Sequence, residues 1–171
     1  MKKLNKMIFL SLLVSIGLAL SVLESAIPLP VTIPGARLGL SNVVILVTLV
    51  IFGFKESLIV GILKSIVLIL VTGSVSSLIY SLSGAILASI TMYVIYKCFS
   101  KVFSLIGVSV FGAVAHNIGQ VSAAVLMMSN LRIYSYLPIL LLMSLFTGYF
   151  VGLSSNFITK NLAKSLKSYF I

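Results

Sequence analysis

His116, Asn117 and Gln120 fall within one otherwise apolar stretch, Ala115-His-Asn-Ile-Gly-Gln120. On a helix, His116 and Gln120 lie one turn apart and share a face. The other polar residues that break long apolar runs are Glu24, Arg37, Ser41, Asn42, Lys64, Ser81 and Ser83. This set suits noncovalent recognition of a small polar or anionic molecule. Lys64 and Arg37 supply positive charge, and Asn42, Asn117 and Gln120 supply amide donors and acceptors. The same residues also have a structural reading, in which Glu24 neutralises Lys64 or Arg37 and the amides bridge helices. A third reading makes His116 and Glu24 a proton or redox relay.

Other chemistries lack their residues. The chain contains no aspartate, which excludes an aspartate-rich magnesium site for diphosphate chemistry, a Walker B element and a Ser/His/Asp triad. No GxxxxGK[ST] loop is present to cradle a nucleotide. The single cysteine, Cys98, cannot form an internal disulfide, and no Cys/His cluster suggests zinc. The expectation is a chain with no catalysis of its own, no cofactor and no metal. Active movement of a solute would then draw its energy from a partner or an ion gradient.

The elements that must position these residues are membrane helices. Of 171 residues, 60% are hydrophobic and only 8% charged, and the mean hydropathy is +1.27. A soluble domain needs more charge to cover its surface. A spanning helix needs about 20 mostly apolar residues. The apolar runs predict an all-α polytopic bundle of six transmembrane helices over 4–26, 38–54, 57–72, 76–96, 103–128 and 137–158, in one integral membrane domain, 1–171. Three prolines between Pro28 and Pro34 make the first connection a loop. The apolar run from Met7 to Leu23 lacks a small-residue cleavage site after it and reads as a retained helix. Residues 159–171 form a basic amphipathic tail suited to the anionic inner leaflet, with Ile158, Leu162 and Leu166 on one face and Lys160, Lys164 and Lys167 on another.

The net charge of +10 comes from scattered residues and forms no continuous basic face, so nucleic acid is not an expected partner. Instead it sets topology. With both termini in the cytoplasm, the inner ends carry Lys2, Lys3, Lys6, Lys55, Lys97, Lys101, Lys160, Lys164 and Lys167, and the outer ends carry Arg37 and Arg132. A multi-pass protein of the cell membrane is expected. Nearly all the polar set then falls between the midplane and the outer surface, open to a ligand from outside. An ionisable group at mid-bilayer costs about 2.5–3.5 kcal/mol or more, so it faces a cavity or a partner.

Small residues recur every fourth position at Gly17/Ser21/Ser25, Ser81/Ala85/Ser89, Gly84/Ala88 and Ser144/Gly148/Gly152. In lipid such spacing lets helix backbones approach, within the bundle or against a second subunit.

The order Glu24…Pro28, Arg37-Leu-Gly-Leu-Ser-Asn42, Phe52-Gly-Phe-Lys55, Lys64, Ser81-Leu-Ser-Gly84, Gly107-Val-Ser-Val-Phe-Gly112 and His116-Asn-Ile-Gly-Gln120 resembles the Gx transporter family, over about residues 8–155. Its members are also labelled heptaprenyl diphosphate synthase component I. The third-helix basic residue of the family is commonly arginine. Lys64 keeps the charge but lacks the planar fork. In size and helix layout the family is similar to the substrate-binding S components of energy-coupling factor vitamin transporters. That resemblance implies a ligand near the outer face, a transmembrane coupling subunit and two ATPases in trans. It also implies a docking stripe on the first helix, here Gly17, Ser21 and Ser25, or Ser11, Ser15 and Ala19. Some members are associated with flavin-linked or quinone-linked electron-transfer systems, which is the alternative the resemblance implies. A prenyl synthase subunit would need metal-binding aspartates, so the enzymatic label implies at most an accessory role in isoprenoid or menaquinone synthesis.

Overall fold

The helix at the centre of the bundle is also the shortest. The computed structural model describes residues 3–27 and 37–170, with side chains described within 4–27 and 37–162. The proline-rich connection from Pro28 to Pro34, Lys2, and the side chains of Lys3, Lys164, Leu166 and Lys167 lie outside the described residues. The chain runs α1 (Lys3–Ser25), α2 (Asn42–Phe52), α3 (Phe54–Thr72), α4 (Val75–Cys98), α5 (Leu105–Met128), a short 3₁₀ helix (Leu131–Tyr136) and α6 (Leu137–Phe170). Among the described residues there is no strand.

The architecture is that of a helical membrane protein. α1, α4, α5 and the stretch ending in α6 are each long and apolar enough to cross a membrane. α3 has 19 residues, with Lys64 buried midway along it. α2 departs from expectation. The predicted span over 38–54 is helical only from Asn42, and its 11 residues make a rod of about 16 Å, roughly half the ~30 Å hydrocarbon thickness. The reason is Gly39, whose φ of 85° breaks the helix before it can start. Non-helical backbone at membrane depth is tolerated only where protein surrounds it, and Arg37, Leu38, Gly39 and Ser41 are all buried.

α2 touches every other α-helix; α3, α4, α5 and α6 pack successively around it, and α1 lies against α2 and α3. Its face is apolar: Val44, Ile45, Leu46, Val47 and Leu49 are all nearly inaccessible. α2 and α3 are joined by Gly53 alone, at φ 99°, so α3 begins three residues before its predicted start at Ser57. α5 and α6 meet closely because Gly148 and Gly152 leave room. A Cβ at Gly148 would lie 2.6 Å from Val110 Cα, and one at Gly152 would lie 2.5 Å from Ile106 Cα. The Ser144/Gly148/Gly152 row therefore serves packing within the chain.

One end of the bundle gathers lysines. Lys6 on α1 pairs with Glu56 on α3. Phe9 stacks obliquely on Phe52, and Phe54 on Tyr93. These contacts bring the start of α1, the Gly53 turn and the end of α4 together, along with Lys55 and Lys97. α6 runs unbroken for 34 residues, or about 50 Å, well beyond a membrane's thickness. The predicted tail over 159–171 is helical through Phe170. It continues α6, and Ile158 and Leu162 pack against the chain's own α1 and α2.

Candidate functional site

The segment from Arg37 to Asn42 threads between helices, and successive residues in it meet different partners. The Arg37 N–H donates to Gln120 Oε1 at 2.9 Å, and Gln120 Nε2 donates back to the Arg37 carbonyl at 2.9 Å. Gly39 lies against the His116 ring; a Cβ there would sit 3.2 Å from His116 Cδ2 and 2.8 Å from Asn42 Nδ2. The Leu40 N–H donates to Glu24 Oε1 on α1 at 3.1 Å. Lys64 Nζ on α3 donates to Ser41 Oγ at 2.7 Å. Six residues thus connect α1, α3 and α5 at the top of α2.

Two glycines complete the walls. A Cβ at Gly84 on α4 would lie 2.7 Å from His116 Cε1 and Nδ1, so the imidazole is held between Gly84 and Gly39. A Cβ at Gly17 on α1 would meet Val44 Cγ2 at 2.7 Å and Lys64 Cδ at 3.2 Å. The Lys64 stem therefore rests on α1, below Ser21 and Glu24.

The arrangement leaves several buried polar atoms without hydrogen-bond partners. They include Ser21 Oγ, Glu24 Oε2, Arg37 Nε and Nη1, both amide atoms of Asn42, and both ring nitrogens of His116. Each of these side chains belongs to a residue no more than 5% exposed. Native interiors pair nearly all such groups, and each exception calls for an explanation. These exceptions cluster around Arg37–Asn42. Glu24, Arg37 and Lys64 are all buried, yet no ion pair within 4.0 Å joins them; the ion pair among the described residues is Lys6–Glu56.

Other members of the expected set are committed elsewhere. Asn117 Nδ2 donates to the Leu140 carbonyl at 3.0 Å and to Ser144 Oγ at 2.7 Å, and its Oδ1 accepts from Gln120 Nε2 at 3.3 Å. Asn117 and Gln120 thus tie α6 to α5 and hold Arg37, with their polar atoms spent on protein. Ser81 Oγ pairs with Ser65 Oγ at 2.9 Å and bridges α3 and α4. Ser83 is half-buried and donates to the Tyr80 carbonyl of its own helix at 3.1 Å, and no hydrogen bond joins it to the cluster.

The expected docking stripe needs correction. Gly17 and Ser21 face the chain's interior, because that side of α1 covers Lys64 and Val44; only Ser25 is exposed, and its hydroxyl donates to the Val22 carbonyl. Ser11, Ser15 and Ala19, the alternative stripe, are exposed. Ser11 and Ser15 line a groove of about 420 Å³ between α1 and α3, with Leu18, Ile59 and Leu63.

Sequence reasoning missed Ser65 and Ser144 as hydrogen-bond partners, Ser21 as a member of the cluster, and Gly39 and Gly84 as walls for His116. Ser21 had a signal: it precedes Glu24 by three residues and so shares its helix face. Ser144 carried only the small-residue spacing that packing also produces.

The sequence model of one protein family, described as heptaprenyl diphosphate synthase component I, matches residues 13–158. No curated protein and no solved structure matches the chain.

Proposed function

Starting from a chain that belongs to the heptaprenyl diphosphate synthase component I family, we propose that it is a membrane-embedded, substrate-binding subunit of a small-molecule uptake transporter, similar to an energy-coupling factor S component. One observation carries this reading. Polar atoms from α1, the Arg37–Asn42 segment and α5 are buried together without partners, and the helices hold them there at a cost that a bound solute would offset. In this reading the lysine-rich end is cytoplasmic and the cluster opens toward the outside of the cell membrane. The chain itself performs no catalysis. A transmembrane coupling subunit, carrying ATPases in trans, would seat on the exposed Ser11, Ser15 and Ala19 side of α1.

Native mass spectrometry of the protein purified from its own membranes tests the proposal. A stoichiometric small molecule is expected, and it should be lost from Asn42→Ala, whose amide makes no protein hydrogen bond. A ligand-free wild-type protein, together with uptake unchanged by Asn42→Ala, would remove the proposal's basis.

The family's description favours a second reading, a noncatalytic membrane component of an isoprenoid-synthesising complex. It predicts co-purification with a soluble prenyl synthase, and loss of long-chain quinones with no change in uptake when the chain is deleted.

A further inference from the structure

The balance of charge and of hydrogen-bonding groups in the cluster specifies more than a polar solute. We infer that it takes a monoanionic oxyacid bearing at least one O–H or N–H donor, a carboxylate or a phosphodiester; this deepens the ligand-site reading above and rests on it.

Four ionisable side chains are buried there: one carboxylate, Glu24, two basic groups, Arg37 and Lys64, and the imidazole of His116. With the imidazole counted as neutral, the cluster has a formal surplus of one positive charge, and no ion pair among the described residues discharges it. A charge kept out of water calls for a counter-charge. A monoanion supplies one, a cation would add to the surplus, and a dianion would invert it.

Hydrogen-bond capacity points the same way. Arg37 Nε and Nη1 are unpartnered donors, Asn42 Nδ2 is another, and Lys64 has spent one of its three N–H groups on Ser41. Against these stand only two unpartnered acceptor oxygens, Glu24 Oε2 and Asn42 Oδ1; neutral His116 and the Ser21 hydroxyl each offer both functions. A matching ligand is rich in acceptors and strongly charge-assisted at Arg37 and Lys64. It also carries a donor for Glu24 Oε2, since the other oxygen of that carboxylate already takes the Leu40 N–H. Glu24 then selects for a hydroxyl or amine on the ligand, while Arg37 and Lys64 hold its anionic oxygens.

Isothermal titration of the full chain in phosphatidylcholine nanodiscs tests this. The probes are lactate, propionate, glycerophosphoglycerol, glycerol and choline. Lactate or glycerophosphoglycerol should bind, propionate should bind at least ~10-fold more weakly than lactate, and glycerol and choline should not bind. Lactate binding alone identifies a carboxylate. Glycerophosphoglycerol binding that is lost in phosphatidylglycerol nanodiscs identifies a lipid headgroup as the source. Arg37→Gln should weaken the anion by at least ~10-fold. Glu24→Gln should keep the anion but shrink the preference for lactate over propionate, a change that a merely unstable variant would not produce. Equal binding of glycerol or choline, or an unchanged affinity in Arg37→Gln, would overturn the inference. A neutral or cationic molecule co-purifying with the protein overturns the charge assignment and leaves the ligand-site reading standing. If no probe binds and no molecule co-purifies, both fall.

Discussion

The side chain of Gln120 and the backbone of Arg37, 83 residues apart in sequence, exchange two hydrogen bonds, N–H to Oε1 and Nε2–H to O, each 2.9 Å long. A side-chain amide thus pairs with a peptide group as a neighbouring strand would. It satisfies both polar groups of a residue that has no helix to do so.

Gln120→Ala should therefore free the Arg37 N–H and carbonyl inside the protein. Unsatisfied buried groups cost about 1–3 kcal/mol each. A loss of roughly 2 kcal/mol or more is expected in SDS-induced unfolding. Gln120→Glu sets a carboxyl oxygen against the Arg37 carbonyl and Asn117 Oδ1 in a buried position, and should be at least as destabilising as Gln120→Ala.

Gly84 and His116 should behave as a coupled pair. The Cβ of Gly84→Ala would land 2.7 Å from the imidazole and push it out of place. Overpacking of this kind costs about 1–3 kcal/mol. In a His116→Ala background the three atoms nearest the new Cβ change or disappear, so a double-mutant cycle should return a coupling of about 1 kcal/mol or more.

Gly148→Leu should separate α5 from α6, because the obstacle is the Val110 backbone and not a movable side chain. It should sharply reduce folded protein recovered by size exclusion, whereas Leu142→Ala on the exposed face of α6 should not.

Glu56→Gln offers the contrast. The Lys6–Glu56 pair links α1 to α3, but the Lys6 side chain is 37% exposed. Partly exposed pairs contribute about 0–1 kcal/mol, and Glu56→Gln should lower stability by less than ~1 kcal/mol.

The native cysteine reports orientation without engineering. Cys98 is exposed, at the lysine-rich end. If that end is cytoplasmic, a membrane-impermeant maleimide should label Cys98 in inverted vesicles and leave it untouched in intact cells. A Ser129→Cys, Cys98→Ala variant, with its thiol after α5 at the other end, should show the reverse.

The helices were legible because apolar length is a property of local sequence, and α4, α5 and α6 begin within two residues of their predicted positions. α2 was misjudged because Leu38 and Leu40 continue its apolar run, while the conformation that ends it belongs to Gly39 alone. The burial of the charged and amide members of the polar set was legible, since lipid disfavours them, whereas Ser83 is half-buried and bonds only its own helix. The set's division of labour was not legible. Asn42 and Asn117 are the same residue type in similar surroundings, yet Asn117 spends its amide on Leu140 and Ser144 while Asn42 has no partner. That difference depends on which helix lies opposite, and spacing along one helix does not encode it. The first-helix stripe failed for a related reason: Gly17 and Ser21 look equally suited to a partner's helix and to Lys64 of the same chain.

The shortness of α2 has an electrical consequence. A solute held at Arg37–Asn42 sits about 16 Å above the Gly53 turn, the length of an 11-residue helix. Beneath it the insulation is a plug of Val44, Ile45, Leu46, Val47 and Leu49, sealed on every side by other helices. An apolar layer of this kind opposes the passage of a charged solute. On the transporter reading proposed above, delivery to the other side would require the helices to part or the whole body to tilt, moving the dielectric barrier to the opposite side of the solute.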